Sequence, residues 1–252
     1  MVSAMWGGSW DVRRFDEIDS TNAYLRRQAR EGAREGTVAL AEHQRAGRGR
    51  MDRRWEAPPG ASLLISVLFR PDLDASELHL CTAALALAAA EACRLAAGVG
   101  PVLKWPNDLV VGESKLAGVL AEAEFDGPIA RAVVVGLGLN IDWPGPEGVR
   151  GTCLQELSST PVDRELLLRS LLDALSARRA LLDNAPGRRE VAAEFRERCT
   201  TLGQRVRVEL AAEAVVGVAV EVDDAGHLVV QTAGGPRTIS AGDVVHLRPG
   251  LR

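Results

Sequence analysis

The spacing of apolar residues changes several times along the chain, and each change predicts an element. "DSTNAYLRRQARE", residues 19–31, opens on Asp19, Ser20 and Thr21, residue types that cap helix N-termini, and then turns amphipathic, which predicts a helix. "GTVALAEHQ" (36–44) and "ASLLISVLF" (61–69) read as strands, the second closed by Arg70-Pro71. Residues 76–97 form a long Ala-rich helical stretch. "PVLKWPNDLVVG" predicts two short strands bent at Pro106, and "SKLAGVLAEAEF" and "RAVVVGLGLNI" two further strands. Residues 163–182 and 186–202 are helical in pattern, with Gly203 placed to cap the second. From Arg205 the texture becomes all-β: "RVRVEL", "AVVGVAVEVD", "HLVVQT" and "VVHLR", separated by turns such as Asp224-Ala225-Gly226 and Gly234-Gly235-Pro236. The pattern predicts an α+β chain with a boundary near 203, a larger unit over 1–203 and a small β unit over 204–252. There is no internal repeat or low-complexity segment.

Composition narrows the class. With 46% hydrophobic and 25% charged residues, 252 positions suit one large core with a small satellite. The longest apolar tract, "CTAALALAAAEACRLAAG", is broken by Glu91 and Arg94 and reads as a buried helix rather than a membrane span. The N-terminal residues lack the charged-then-apolar layout of a signal peptide, so a cytoplasmic location is expected. Cys81, Cys93, Cys153 and Cys199 are far apart, no CxxC pair occurs and the four histidines form no ligand-spaced cluster, so the cysteines read as small buried hydrophobes.

Charge raises the functional question. The chain carries a formal net charge of -4, yet Arg45, Arg48, Arg50, Arg53 and Arg54 crowd one glycine-bearing stretch, "EHQRAGRGRMDRRW". Glycines beside arginines let backbone N–H groups and guanidinium forks converge on one anion, a phosphate or a carboxylate. The bland alternatives are a solvated loop or a weak nucleic-acid patch. No GxxxxGK[ST] loop occurs, and "GLGLN" (136–140) is not a GxGxxG fingerprint. Gln44 and Trp55 flank the loop with an amide and an aromatic plane. A second stretch, "KWPNDLVVGESKLAGVL" (104–120), sets Lys104 and Lys115 at opposite ends of a strand–turn–strand, facing one cleft or, more blandly, solvent. Lys115 precedes Leu116-Ala117-Gly118, where a backbone can approach a ligand closely.

"DSTN", "EHQRAGRGR" with Trp55, "KWPNDL", "KLAGVLAE" and "VVVGLGLNID" occur in that order, and together they resemble the biotin–protein ligases, over roughly residues 15–252. The resemblance implies a mixed β-sheet flanked by helices, of the class II synthetase and biotinyl/lipoyl ligase type, followed by an SH3-like β-barrel. It implies ATP-dependent formation of biotinyl-5'-AMP, with Mg²⁺ on the nucleotide, and transfer of biotin to a lysine of a biotin carboxyl-carrier domain. Ser20, Thr21 and Gln44 match residues that hydrogen-bond the biotin rings, Arg48 one along the same pocket, and Gly118 a point of backbone approach. Arg50, Arg53 and Lys115 match residues at the carboxyl and phosphate, Trp55 and Asn140 residues near adenine, and Arg248 a residue of the trailing unit that reaches ATP. Asp108 resembles a carboxylate near the attacking lysine, which makes Arg50, Lys115 and Asp108 the expected catalytic set.

There are departures. Met51 and Asp52 stand where many members carry a basic residue and a glycine, which lowers the loop's charge. The residues before Asp19 are too few for the winged helix-turn-helix that some members carry, and no DNA or membrane partner is expected. Lipoate or octanoate ligases and transferases are the nearest rivals, but they resemble one another by an RRxGGG loop that this chain lacks. A repressor or other nucleic-acid-binding protein would need a basic face or reading helix, and the sequence has neither.

Overall fold

The computed structural model describes residues 2–6, 10–51, 53–127, 129–210 and 213–247. In chain order the elements are β1 (Val2–Trp6), β2 (Trp10–Ile18), α1 (Thr21–Arg30), β3 (Thr37–Gln44), β4 (Ser62–Phe69), α2 (His79–Ala97), β5 (Val102–Lys104), β6 (Asp108–Val111), β7 (Ser114–Asp126), β8 (Ile129–Asn140), α3 (Leu154–Leu157), α4 (Arg164–Leu181), α5 (Ala185–Arg198) and β9 to β13 (Arg205–Glu209, Ala214–Val222, Leu228–Thr232, Gly235–Ile239 and Asp243–His246). The first eight strands form one mixed sheet in the order β1-β2-β3-β4-β8-β7-β6-β5. Among the described residues its one parallel strand pair is β2–β3, and α1 makes the crossover between them.

Strand alternation decides what each face of this sheet does. Leu63, Ile65, Val67 and Phe69 of β4 and Val133, Val135, Leu137 and Leu139 of β8 enter the main core. There they meet α2, which is apolar on nearly every side, and α2 packs in turn on α4. By length and composition this stretch could cross a membrane, yet 72% of its most apolar window is buried, as befits a core helix. Leu85 and Leu87, wholly buried, each contribute about 1.5–3 kcal/mol. On the opposite face α1 lays Tyr24, Leu25 and Ala29 over Ala39, Leu68, Ala132 and Val134. Beyond the N-terminus of α1 the helix no longer covers that face, and the cavity opens there.

The trailing strands pair as an antiparallel sheet, β12-β11-β10-β9-β13. Alternation again holds, with Val206 and Val208 inward and Arg205 and Arg207 outward. This second core also takes in Trp105 and Cys199. Trp105 Nε1 donates to Gly226 O at 2.9 Å, so the β5–β6 turn is pinned to the small sheet.

The structure corrects several boundaries. Helix α5 ends at Arg198, short of Gly203, because the chain turns out at Cys199 to bridge to β5, where Thr200 N donates to Leu103 O at 2.8 Å. Gly203 adopts φ +77° in the turn that follows. Gly235-Pro236, expected within a turn, begins β12; this is an edge strand, where a missing N–H costs no ladder bond. No element was expected before residue 19 or at α3. β2 hides its strand character because only Trp10 and Val12 are buried and charged residues follow them. All four cysteines are buried, and burial pushes the Cys81 and Cys93 thiols up to about 12.

Candidate active site

The alternation that sends Leu137 and Leu139 into the core sends Gly136, Gly138 and Asn140 the other way, onto the floor of a cavity of about 660 Å³. In register beside them lie Ser66 and Leu120 opposite Gly136, and Gly118 opposite Gly138. A Cβ at Gly138 would come within 2.7 Å of the Trp55 indole, so glycine is what lets that ring lie on the floor. Trp55 Nε1 is buried there without a hydrogen-bond partner, and Lys115 Nζ sits 5.7 Å from the ring centroid.

One end of the cavity is a buried polar pocket at the start of α1. Ser20 is the N-cap, its side chain accepting from Ala23 N. Gln44 Oε1, at the end of β3, accepts from Thr21 N at 2.8 Å, which leaves the Gln44 amide nitrogen uncommitted to that contact. Ser20, Thr21 and Asn22 are at most 4% exposed.

The other end is cationic. Lys115, at the start of β7, lies 2.6 Å from Asp108 Oδ1. That oxygen makes no hydrogen bond of normal angle, so the contact is ionic. Backbone bonds from Lys115 N to Arg150 O and from Thr152 N to Lys115 O hold the lysine against the 143–152 loop. Lys104 faces the same cavity, the first of the two readings its sequence position allowed, and burial lowers its pKa, with Asp108 opposing and Lys115 adding to the fall. Asn140 donates to Pro144 O at 3.2 Å and Thr152 O at 3.0 Å; both are carbonyls, so its own oxygen is the atom left for a ligand.

The arginine stretch is a small hairpin across the cavity mouth. Gly49 N donates to Arg53 O and Trp55 N to Gly47 O, with Arg48 bridged to Arg54. Arg50 reaches Asn107 Oδ1 and Gly242 O, both at 3.4 Å, and burial lowers its pKa. Arg53 pairs with Asp243 of β13 and stays 64% exposed. Arg48 sits at the rim, 3.6 Å from Glu122.

Ser20, Thr21, Gln44, Arg48, Arg50, Arg53, Trp55, Asp108, Lys115, Gly118 and Asn140 thus all line one cavity. Arg248 and Asp52 lie outside the described residues. Sequence reasoning did not single out Asn22, Ser66, Asn107, Glu122 or Asp243. Asn22, Asn107 and Glu122 stand inside motifs already noted, whereas Ser66 lies in an apolar run and Asp243 in the trailing strands, with no local signal.

A mixed sheet bearing a buried polar pocket joined to a cationic mouth suits a ligand that is neutral and polar at one end and anionic at the other. The biotin/lipoate A/B protein ligase family matches residues 15–140, and the biotin protein ligase C terminal domain matches residues 201–247. The chain belongs to the biotin/lipoate A/B protein ligase family. It is 40% identical over 254 residues to a biotin–[acetyl-CoA-carboxylase] ligase of Mycobacterium tuberculosis, covering 96% of this chain and 91% of the relative. It is 31% identical to the enzyme of the same name from Paracoccus denitrificans, with 90% and 96% covered. The biotin protein ligase from Aquifex aeolicus, solved with biotin and ATP, superposes with a TM-score of 0.78 at 27% identity, covering 94% of this chain and 99% of that one.

Proposed function

We propose that this chain joins biotin to a carrier lysine through biotinyl-5'-AMP, with residues 1–203 as the catalytic unit and 204–252 bracing its loop. The observation that carries the reading is the single cavity running from the Ser20–Thr21–Gln44 pocket to Lys115 and Arg50, in a chain so similar to named biotin ligases.

In the first half-reaction a biotin carboxylate oxygen attacks the α-phosphorus of ATP, and the bond to pyrophosphate breaks. A carboxylate is already a nucleophile at neutral pH, so no general base is needed. What opposes the step is repulsion between carboxylate and triphosphate, and Arg50, Arg53 and Lys115 offset it. Mg²⁺ enters as substrate on ATP. The carboxylates that reach the cavity include Asp108 and Asp243, both ion-paired, and no cluster of three metal-ligating side chains occurs among the described residues. That suits an ion held mainly by phosphates and water. Trp55 offers its plane to adenine, and the Asn140 oxygen can accept from the exocyclic amine; Arg248 is assigned to the nucleotide by resemblance.

In the second half-reaction the carrier lysine amine attacks the anhydride carbonyl carbon, and the bond to AMP breaks. The proton lost from nitrogen goes to Asp108, which the phosphate frees by drawing Lys115 toward itself. The test is pyrophosphate release on adding biotin and Mg·ATP without a carrier. Release with biotin and none with lipoate is expected; release with lipoate alone would overturn the reading.

A further inference from the structure

Beneath the polar pocket runs a chain of buried hydrogen bonds whose direction is fixed at its far end. Asn22 Nδ2 faces Leu120 O at 3.2 Å and Glu122 Oε2 at 2.9 Å. A backbone carbonyl and a carboxylate only accept, so the Asn22 amide has one possible orientation, with its oxygen turned the other way. Arg26 holds Glu122 in place at 2.6 Å. Gly136 leaves the room, since a Cβ there would come within 3.0 Å of Asn22 Cγ.

Asn22 Oδ1 meets the Ser66 hydroxyl at 2.6 Å, and Ser66 Oγ also lies 2.7 Å from Thr21 Oγ1. Ser66 is wholly buried and has one proton. The asparagine oxygen cannot donate, so that proton goes to Asn22. The 2.7 Å contact then needs Thr21 to donate to Ser66, since otherwise two lone pairs would face each other. The competing acceptor, Gln44 Oε1, is farther from Thr21 Oγ1, at 3.1 Å. Thr21 has no second proton, and it meets the cavity with lone pairs only.

We infer that Glu122, through Asn22 and Ser66, makes Thr21 an obligate acceptor, so that this end of the pocket selects a ring N–H such as a ureido nitrogen and disfavours a ligand presenting an acceptor or a methyl group there. Ser66, Asn22 and Glu122 are positioning residues, not catalytic ones. The inference rests on the biotin reading and adds the source of its selectivity.

The experiment is calorimetric titration of the full chain with biotin and with its two ureido N-methyl derivatives, for the parent, Ser66→Ala, Thr21→Val and Thr21→Ser. The parent should prefer biotin over at least one derivative by tenfold or more, since a neutral hydrogen bond and a displaced partner each contribute about that order. Ser66→Ala removes the nearer acceptor and leaves the Thr21 proton held only by the longer Gln44 contact, from which a ligand acceptor can draw it, and the preference should fall severalfold toward unity. Thr21→Val should lose it as well, whereas Thr21→Ser, which keeps the relay, should retain it. A merely structural role would weaken all three ligands alike and leave the ratio in place; an unchanged ratio in both Ser66→Ala and Thr21→Val overturns the relay. Should the alanine variant not fold, Thr21→Val against Thr21→Ser decides. A parent that binds no biotin overturns the biotin reading and the relay with it.

Discussion

The two ends of the cavity are built on opposite principles. At the polar end, Thr21, Asn22 and Ser66 are buried and joined by bonds of 2.6–2.8 Å that already have their partners. At the cationic end, Arg50 is held by two contacts of 3.4 Å, and Arg53, itself exposed, by a half-buried carboxylate. A buried network that is fully satisfied is rigid, and losing one member leaves the others unpaired. A cation on long or exposed contacts can exchange them for a ligand's charge. In the proposed function the neutral ring is thus met by a finished surface, and the anion by one that the ligand completes.

Lys115 tests the contrast most severely, because it is both cationic and fixed. Its backbone is bonded on two sides and its ammonium lies against Asp108. Lys115→Ala removes a positioned charge from where the transition state gathers its own, so pyrophosphate release should fall about a hundredfold to a thousandfold. Biotin affinity, measured by calorimetry without ATP, should change far less. A variant releasing pyrophosphate at the parent rate would remove Lys115 from the mechanism.

Arg50 comes next. Burial lowers its pKa and its present contacts are long, so it stands to gain most from a phosphate. Arg50→Gly forfeits one charge-assisted contact, about 1.5–3 kcal/mol, and adenylate retention should weaken roughly tenfold to a hundredfold. The variant should still make adenylate but release it, labelling lysines on an unrelated protein in the same tube. Equal labelling by the parent would mean that Arg50 does not hold the intermediate.

A smaller effect should come through the seam behind the loop. Arg50 and Arg53 rest on Gly242 and Asp243, and the sheet that carries those residues meets α2 at His79, whose ring lies against Gly226. Burial depresses the His79 pKa, the Ser76 carbonyl partly opposing, and burial depresses that of His246 too. In the unfolded chain each titrates near the ordinary value of about 6.5. Between that value and the lowered folded one the unfolded state binds more protons, so stability falls as pH drops through this window. Urea midpoints should decline from pH 7 to pH 5, and less steeply in His79→Gln. If the seam supports only the cationic end, acid should raise the KM for ATP before that for biotin.

How far the sequence revealed this follows from the same contrast. The arginine loop, Lys104, Lys115 and the N-cap residues were legible because charge and capping chemistry announce themselves locally. The longer helices and most strands were legible because their apolar spacing is regular. Ser66 was not, since the second of the two hydroxyls in "SLLISVLF" looks like any strand serine until register sets it opposite Gly136. Asp243 was not, because its partner Arg53 lies in a distant part of the chain. β1 and β2 escaped notice because β2 buries little beyond Trp10 and Val12. Local chemistry shows in a sequence, whereas partnership across the sheet has to be folded to be seen.

Arg53 should give the smallest effect, and the reason sharpens the comparison. Its guanidinium already has a carboxylate partner, so a phosphate would replace one anion with another and gain only the difference. Arg53 is largely exposed and Asp243 half-buried, and a pair so open to solvent contributes about 0.2–1 kcal/mol. Arg53→Ala should therefore raise the KM for ATP less than about fivefold, where RT ln 5 is roughly 1 kcal/mol. Asp243→Asn should do about the same by loosening the loop, and the double variant should be little worse than either, because both remove one contact. Steady-state pyrophosphate release at several ATP concentrations reads all three. A hundredfold loss in Arg53→Ala with none in Asp243→Asn would mean that Arg53 abandons β13 entirely in the liganded enzyme, and that the mouth of the cavity is rebuilt rather than merely completed by the ligand.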